Sequence, residues 1–294
     1  MELFIGAVVS GVIVGLTFAM IGFSAAILYR SNGVLSFAQP MIATLLAFVG
    51  HFLVSGAGLN VWETTGVMLL AAGPGGAALY FLVFRVNEKF GNLNAVMRTI
   101  ALFLLIQQVI VSWWSAGEPF PFPGMAQGAS LSLPLGAHVT RQGLVILAAM
   151  ALLLVGALVF FTATRTGLLF RSLAESPENA MIIGVPTKRL SALSWALATV
   201  ICAVVAAVNA PVALVSTDMF SPYVLLAFTA LLVGGLNSWS GAVVGGVLVG
   251  LVNSVLVAYT NTEIATLAVF ALLLVTLIVR PGGLVGSAAT AERF

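Results

Sequence analysis

Long, uninterrupted apolar runs constrain this chain more than any other feature of its sequence. The first extends from about Leu3 to Leu28, and runs of similar length recur to the end of the chain. A run of about 18 apolar residues can cross the hydrocarbon core of a bilayer as a helix. Only 7% of the 294 residues are charged, whereas a soluble globule carries roughly 25%. The sequence therefore predicts an all-α polytopic membrane protein that forms a single domain over residues 1–294.

We expect about nine membrane segments, or eight if Tyr223 to Ala258 forms one re-entrant element. That run is too long for one span, and the glycine-rich stretch from Gly234 to Gly241 divides it into a predicted helical hairpin. Gly73-Pro74-Gly75-Gly76 predicts a kink or break in another span. Apart from the hairpin, the predicted spans cover approximately residues 3–28, 41–55, 66–84, 95–113, 142–161, 191–215 and 264–279.

The distribution of cations predicts the orientation of these spans, because Lys and Arg accumulate on the cytoplasmic side of membrane proteins. With the amino end outside and the carboxyl end inside, ten of the eleven Lys and Arg residues lie inside, and Arg141 lies outside. Five of the nine acidic residues then lie outside.

The longest charged segment, Thr164 to Leu190, is predicted to lie in the cytoplasm. Ser176 and Pro177 predict the start of a short helix, and Gly184 predicts its end, with a left-handed backbone. Ser172 with Glu175 forms a second capping signal, so we expect two short helices separated by a kink. Their apolar residues predict an apolar underside: Leu168, Leu169, Phe170, Leu173, Met181, Ile182 and Ile183. The segment is either a docking surface for a cytoplasmic partner or an ordinary amphipathic connection.

Two further segments have the pattern of interrupted membrane helices. Leu35-Ser-Phe-Ala-Gln-Pro40 and Asp218-Met-Phe-Ser-Pro222 each place an aromatic residue and a proline before an apolar helix. On the predicted topology they face opposite sides of the membrane, as the half-helices of inverted repeats do. A capped helix start explains either segment equally well.

Small residues cover one face of the predicted helix that follows Gly241. Glycines spaced four apart allow two membrane helices to approach closely. We therefore expect this region to be a helix-packing surface formed by Gly234, Gly235, Gly241, Gly245 and Gly246.

The residues needed for an enzyme do not form a recognisable set. There is no nucleophile triad, carboxylate pair or phosphate-binding loop, so the chain is not expected to hydrolyse ATP. The one cysteine and the two histidines show no ligand spacing, and we expect neither a metal nor a cofactor.

Three stretches resemble the permeases of branched-chain amino acid ABC importers, and the resemblance extends over nearly the whole chain. In the charged segment, Arg171, Ala174, Glu175, Ala180 and Gly184 match the family pattern. The stretch from Pro222 to Gly246 matches a glycine-rich pattern, with Asn237 where glycine is usual. Gly33-Val-Leu-Ser-Phe-Ala-Gln-Pro40 is similar to a family segment that usually ends in His-Gly, so Gln39 and Pro40 leave the solute open.

This resemblance implies a permease subunit in the bacterial inner membrane that works by alternating access. It implies a second, different permease, two cytoplasmic ATPase subunits and a periplasmic or lipid-anchored solute-binding protein as partners. The segment 164–190 would couple to the ATPases through Arg171, Ala174, Glu175, Glu178, Ala180 and Gly184. The solute path would be lined by Ser36, Phe37, Gln39, Asp218 and Phe220.

Branched-chain amino acids are the solute that the resemblance favours. The alternative is another small solute, such as urea, a short amide or an aromatic compound. A more distant alternative is an ion-coupled carrier that acts alone, but the apolar runs contain no chain of ionisable residues that would relay protons.

Overall fold

The structure is a computed structural model built from helices. It describes residues 2–84, 91–114, 118–126, 128, 131–132, 138–175, 180, 182, 184–236, 238–280 and 282–285. The helices are α1 (Glu2–Asn32), α2 (Gln39–Ser55), α3 (Val61–Leu79), α4 (Gly91–Trp114), α5 (Arg141–Ala163), α6 (Arg165–Glu175), α7 (Thr187–Ala213), α8 (Tyr223–Gly234), α9 (Trp239–Tyr259) and α10 (Thr262–Val279). A short antiparallel pair, β1 (Leu131–Ser132) and β2 (His138–Val139), lies between α4 and α5.

Seven of the described helices are long and apolar enough to cross a membrane: α1, α3, α4, α5, α7, α9 and α10. Helices α2 and α8 are also apolar but have only 17 and 12 residues. At about 1.5 Å per residue these two extend roughly 25 and 18 Å, less than the ~30 Å hydrocarbon core. The chain is thus a polytopic helical membrane protein that contains two apolar helices shorter than the thickness of the hydrocarbon core.

Both predicted interruptions at the short helices are confirmed. Helix α2 begins at Gln39 with Pro40 in its first turn, where the missing N–H of proline has no helical partner to lose. The run after Pro222 divides into α8 and α9, and the Ser238 hydroxyl caps α9 by accepting a hydrogen bond from the Gly241 N–H at 3.0 Å.

A kink or break was predicted at Gly73-Pro74, and the break is wrong, because α3 continues through both residues. Proline removes one backbone donor, but breaking the remaining helical hydrogen bonds in lipid would cost more than it relieves. The irregularity appears later, as a π-helical turn at Tyr80–Phe84.

The capping signal at Ser172 is also wrong. Ser172 lies inside the last turns of α6, and its hydroxyl donates to the Leu169 carbonyl at 2.9 Å. The cap of α6 is Thr164, whose hydroxyl accepts a hydrogen bond from the Gly167 N–H at 3.0 Å. Thr164 precedes the helix directly and therefore satisfies the donors that α6 leaves open at its start.

The chain divides into two compact units, and each is described by itself. Unit 1 comprises Met1–Ala26, Gly124–Ala151 and Pro222–Phe294, and unit 2 comprises Ile27–Pro123 and Leu152–Ser221. In unit 2, α7 is the central helix: it packs against α2, α3 and α6, and α2 also packs against α3 and α4.

Two groups of contacts fix the ends of unit 2. At one end, Phe120 and Val215 form an antiparallel bridge through two 2.9 Å backbone hydrogen bonds, and the Phe120 ring stacks on His51. At the other end, Phe84 stacks on Trp195 with ring centroids 4.4 Å apart. The carboxyl ends of α2 and α7 therefore share one end with the chain that follows α4, and the π-helical turn after α3 shares the other end with the amino end of α7.

Unit 1 is built around α9. Helix α9 packs against α8 and α10, and its glycines lie against α1. Phe18, Leu226, Ala230, Val249 and Val269 form the buried apolar cluster between these helices. The chain after α10 returns to the end of α8, where the Leu284 N–H donates to the Val233 carbonyl at 2.8 Å.

Candidate functional site

The first residue of α2 lies deep within unit 2, beside the middle of α7. The Cys202 thiol is 3.1 Å from Gln39 Oε1 and 3.4 Å from the Gln39 carbonyl oxygen. Cys202 follows the start of α7 by 15 residues, so it lies about 22 Å along that helix. Helix α2 therefore begins at mid-depth of the neighbouring span, which makes it a half-helix.

The segment between α1 and the start of α2 runs alongside α4. The Phe37 N–H donates to the Thr99 hydroxyl at 3.3 Å. Thr99 follows the start of α4 by eight residues, which places Phe37 about 12 Å above it. Directly after α1, Gly33 has a φ of +69°, a left-handed conformation that glycine adopts readily and that lets the chain leave the helix.

Ser36 and Gln39 are polar but buried, with 1% and 0% of their surfaces exposed. Within the described part of the chain, neither Ser36 Oγ nor Gln39 Nε2 has a hydrogen-bond partner. Helix α2 also has no side-chain cap for the N–H groups of its first turn, in which Pro40 contributes none. This part of unit 2 therefore presents an amide N–H group and a hydroxyl that have no partner among the described residues.

The other two predicted path residues occupy the connector after α7. Asp218 is exposed, and its carbonyl accepts a hydrogen bond from the Ser221 N–H at 3.2 Å. Phe220 is buried, with 1% of its surface exposed. Asp218 is therefore accessible to solvent, whereas Phe220 belongs to the packed interior of unit 2.

Helix α8 is the counterpart of α2 in unit 1. The rings of Phe18 and Tyr223 lie 5.2 Å apart, and Gly22 lies against the Ala227 carbonyl, so α8 runs parallel to α1. Phe18 follows the start of α1 by 16 residues, which places the start of α8 about 24 Å along that helix. The second predicted half-helix thus also begins at mid-depth of its neighbour.

A groove of about 820 Å³ occupies the space that short α8 leaves open in unit 1. Pro222 and Tyr223 lie in its lining, together with the amino-terminal half of α1 and the adjoining ends of α9 and α10. Five of its residues are polar: Ser10, Asn253, Ser254, Thr262 and Thr266. This groove was not predicted from the sequence, although the adjacent polar residues Asn253 and Ser254 in an apolar run are typical of a functional position.

The charged segment begins with a sharp turn from α5 into α6. A Cβ on Gly167 would collide with the Phe160 carbonyl and, at 2.7 Å, with the Phe161 Cα, so glycine is needed for this approach. The Arg171 guanidinium donates to the Thr162 carbonyl at 3.3 Å. Arg171 thereby ties α6 to the open carbonyl end of α5.

The six predicted coupling residues differ in exposure. Glu175 and Gly184 are exposed, Arg171 and Ala174 are half-buried, Ala180 is buried, and Glu178 lies outside the described residues. The predicted apolar underside is only partly correct. Phe170 and Leu173 are buried, but Leu168 is 58% exposed and Ile182 is 82% exposed, so both face away from the core.

The end of the segment confirms the left-handed conformation predicted for Gly184. Its φ is +82°, and the Val185 N–H donates to the Ala180 carbonyl at 3.0 Å. This six-to-one hydrogen bond defines a Schellman motif with Gly184 as the left-handed residue. Ala180 and Val185 are both buried, which anchors the motif to unit 2.

The predicted packing glycines lie at close helix contacts inside unit 1. A Cβ on Gly245 would collide with the Ala230 carbonyl of α8, and one on Gly246 with Ala19 of α1. Gly234 and Gly241 face each other across the hairpin, and Gly235 lies against Gly283. The small face of α9 is therefore covered by this chain's own helices.

Cys202 and Thr99 complete the surroundings of the α2 start, and sequence reasoning missed both. Cys202 is separated from Gln39 by 163 residues and Thr99 from Phe37 by 62. Each looks like an ordinary polar residue in an apolar run. Because only the packing of the helices brings these residues together, no local signal could have identified them.

The chain matches, over residues 7–278, the family described as branched-chain amino acid transport system / permease component. It is 27% identical to the high-affinity branched-chain amino acid transport system permease protein LivH of Escherichia coli (strain K12), over 96% of each chain. It is 25% identical to the corresponding protein BraD of Pseudomonas aeruginosa, over 95% of this chain and 94% of that one.

Among solved structures, the fold resembles a chain of PsaBC from Streptococcus pneumoniae in complex with Fab, with a TM-score of 0.50. The match covers 96% of this chain and 93% of that one at 15% identity, so it concerns the fold alone. The family match extends over almost the whole length, including both half-helices and the charged segment. The chain therefore belongs to the family of branched-chain amino acid transport system permease components.

Proposed function

We propose that this chain is a permease subunit of an ATP-driven ABC importer that carries branched-chain amino acids across the bacterial inner membrane. The observation that carries the proposal is the family match over residues 7–278. Relatives named as branched-chain amino acid permeases that align over 96% of the chain support it. The partners are a second permease, two cytoplasmic ATPases and a periplasmic or lipid-anchored binding protein.

The amino end lies outside and the carboxyl end inside, with nine membrane segments when α2 and α8 are counted. In unit 2, the end that carries α6 also carries Arg165, Arg171, Lys188 and Arg189. The opposite end, near the Phe120–Val215 bridge, carries Glu118 and Asp218. The excess of cations at the α6 end supports a cytoplasmic location for that end.

The coupling segment 164–190 transmits movement of the ATPases to the membrane helices by alternating access. Arg171 joins α6 to the end of α5, and Ala180 and Val185 anchor the rest of the segment in unit 2. Glu175, Leu168 and Ile182 remain exposed for contact with an ATPase. Because α6 also packs against α7, force applied to the segment reaches the helix that contacts Gln39.

The solute path includes Ser36, Phe37, Gln39, Asp218 and Phe220. Support comes from the mid-depth start of α2, where backbone and side-chain donors are available to a solute. Half-helix ends of this kind bind small solutes in membrane transporters without a charged side chain. A neutral or zwitterionic solute fits such a path.

A second candidate is another small solute, such as urea, a short amide or an aromatic compound. The observation that favours it is the pair Gln39-Pro40, which stands where the similar family segment has His-Gly. Gln39 is fully buried beside Cys202, so a change at this position alters a candidate contact with the solute.

The test is transport by the complex reconstituted in liposomes with the second permease, both ATPases and the binding protein. We expect leucine uptake that requires ATP, the ATPases and the binding protein, and competition by isoleucine and valine. Uptake of urea or an amide in place of leucine would select the second candidate. Leucine uptake by this chain without the ATPases would contradict the importer class.

A further inference from the structure

We propose that Ser36, Gln39 and Cys202 form a buried site that binds the carboxylate of the transported solute, with Cys202 as a positioning residue. The inference deepens the proposed function and rests on it. It assigns a ligand group to the start of α2 and a role to the one cysteine of the chain.

The contact with Cys202 determines what Gln39 can offer. The thiol lies 3.1 Å from Gln39 Oε1 and 3.4 Å from the Gln39 backbone carbonyl oxygen, so Oε1 has a hydrogen-bond donor beside it. Gln39 Nε2, which carries two N–H groups, has no hydrogen-bond partner among the described residues. With Oε1 in contact with the thiol, Nε2 is the part of the Gln39 amide left for a ligand.

Ser36 and the helix itself add to this donor character. Ser36 Oγ is also without a hydrogen-bond partner in the described part of the chain and lies in the turn directly before Gln39. The amino end of α2 has no side-chain cap, so its partial positive charge is not neutralised by a protein group. Together these groups favour an oxygen acceptor with negative charge.

Burial of these polar groups favours a bound partner. Gln39 and Ser36 are 0% and 1% exposed, so water at the protein surface does not satisfy their polar atoms. Buried amides and hydroxyls without partners are unfavourable and uncommon. A carboxylate that accepts from Gln39 Nε2, Ser36 Oγ and the helix N–H groups would remove this penalty. A metal ion is disfavoured, because the available Gln39 groups are donors.

The first experiment measures leucine carried per ATP hydrolysed by the reconstituted complex at saturating binding protein. Gln39→Leu removes the donor, and Gln39→Glu replaces it with an anion that repels a carboxylate. For both we expect a loss on the order of tenfold, the size of one hydrogen bond to a charged group. Stimulated ATP hydrolysis should continue, because the change lies away from the coupling segment.

The matched control is Ser194→Ala on the same helix as Cys202. Ser194 is 0% exposed, but its hydroxyl already donates to the Leu190 carbonyl at 2.7 Å. We expect the control to carry leucine at the wild-type ratio. If Gln39→Leu and Gln39→Glu behave like Ser194→Ala while the wild-type complex imports leucine, the site is wrong and the proposed function stands.

Replacement of Cys202 tests the positioning role. Cys202→Ala should lower the ratio of leucine to ATP severalfold, because the Gln39 amide is no longer oriented. Cys202→Ser should restore most of it, since a hydroxyl can donate to Gln39 Oε1 as the thiol does. Equal losses in both variants would show that only the packing of the thiol matters, which overturns this part of the inference.

Gln39→Glu also separates the two solute classes. A carboxylate at this position accepts hydrogen bonds from N–H groups, so transport of urea or a short amide would be retained or increased. Loss of leucine transport with retained amide transport would still place the solute at Gln39. Unchanged transport of both would remove Gln39 from the path.

A second experiment uses the wild-type chain and does not depend on a variant that folds. Cys202 is 0% exposed, so a small methanethiosulfonate reagent should not modify it in the resting complex. If a solute reaches this site, ATP-driven turnover must open it, and Cys202 should then be modified on this chain. A control chain with Ser194→Cys and Cys202→Ala should remain unmodified. No reaction at Cys202 during active transport would overturn the site.

Discussion

Gly184 shows how one backbone angle controls the geometry of the charged segment. Its φ of +82° is left-handed, and a hypothetical Cβ there would have no atom within 4 Å. The constraint is therefore conformational, because there is ample space for a side chain. The hydrogen bond from Val185 to Ala180 depends on this conformation.

We predict that Gly184→Val uncouples the complex. A β-branched residue in a left-handed conformation costs about 1–2 kcal/mol, which displaces the segment without unfolding the membrane helices. Transport should fall severalfold, and ATP hydrolysis should lose its stimulation by the loaded binding protein. Gly184→Asn is the control, because asparagine tolerates this conformation and should retain stimulation. Full stimulation and transport in Gly184→Val would show that the segment does not couple.

At the scale of elements, the close packing of α9 depends on glycines, which have no side chain. Gly245 packs on α8 and Gly246 on α1, and in each case an added Cβ would meet the backbone of the neighbouring helix. Backbone cannot move aside as a flexible side chain can. The small residues therefore set the distance between these helices within one unit of the chain.

We predict that Gly246→Leu prevents stable assembly of the chain. Overpacking usually costs about 1–3 kcal/mol, and a contact with backbone lies at the upper end of that range or above it. Gly156→Leu is the matched control, because Gly156 of α5 is exposed and no atom lies within 4 Å of a Cβ there. The measurement is the yield of folded complex by size-exclusion chromatography in detergent. Equal yields from the two variants would contradict this packing.

At the scale of the whole molecule, contacts within each unit and the distribution of charge support the proposed orientation in the membrane. The Phe120–Val215 bridge joins two connections that the cation distribution places outside. The return of Leu284 to α8 likewise joins two ends that it places inside. Each pair of contacts agrees with the proposed alternation of spans.

We predict that an impermeant maleimide labels Ile182→Cys only from the cytoplasmic side and Glu118→Cys only from the outside. Both positions are exposed, and Cys202 is replaced by serine in both variants so that turnover exposes no second thiol. The measurement compares intact cells with inverted membrane vesicles. The reverse labelling pattern would contradict the orientation and the coupling role of the charged segment.

The sequence by itself determined the class, the helices and several of their ends. Apolar runs in lipid must satisfy their backbone hydrogen bonds internally, so their lengths predict membrane helices directly. The hairpin at Gly234 to Gly241, the start of α2 beside Pro40 and the left-handed Gly184 follow from local backbone preferences. Such features depend on neighbouring residues alone, and the sequence displays them.

The tertiary structure decided which helices contact each other and which side chains stay exposed. It brought Cys202 to Gln39 across 163 residues, covered Gly246 with Ala19, and left Leu168 and Ile182 exposed. It also continued α3 through Pro74 and α6 through Ser172. An apolar helix carries similar hydrophobicity on all its faces, so periodicity does not indicate which face packs inward. That choice depends on the close fit between distant helices, which exists only once the chain is folded.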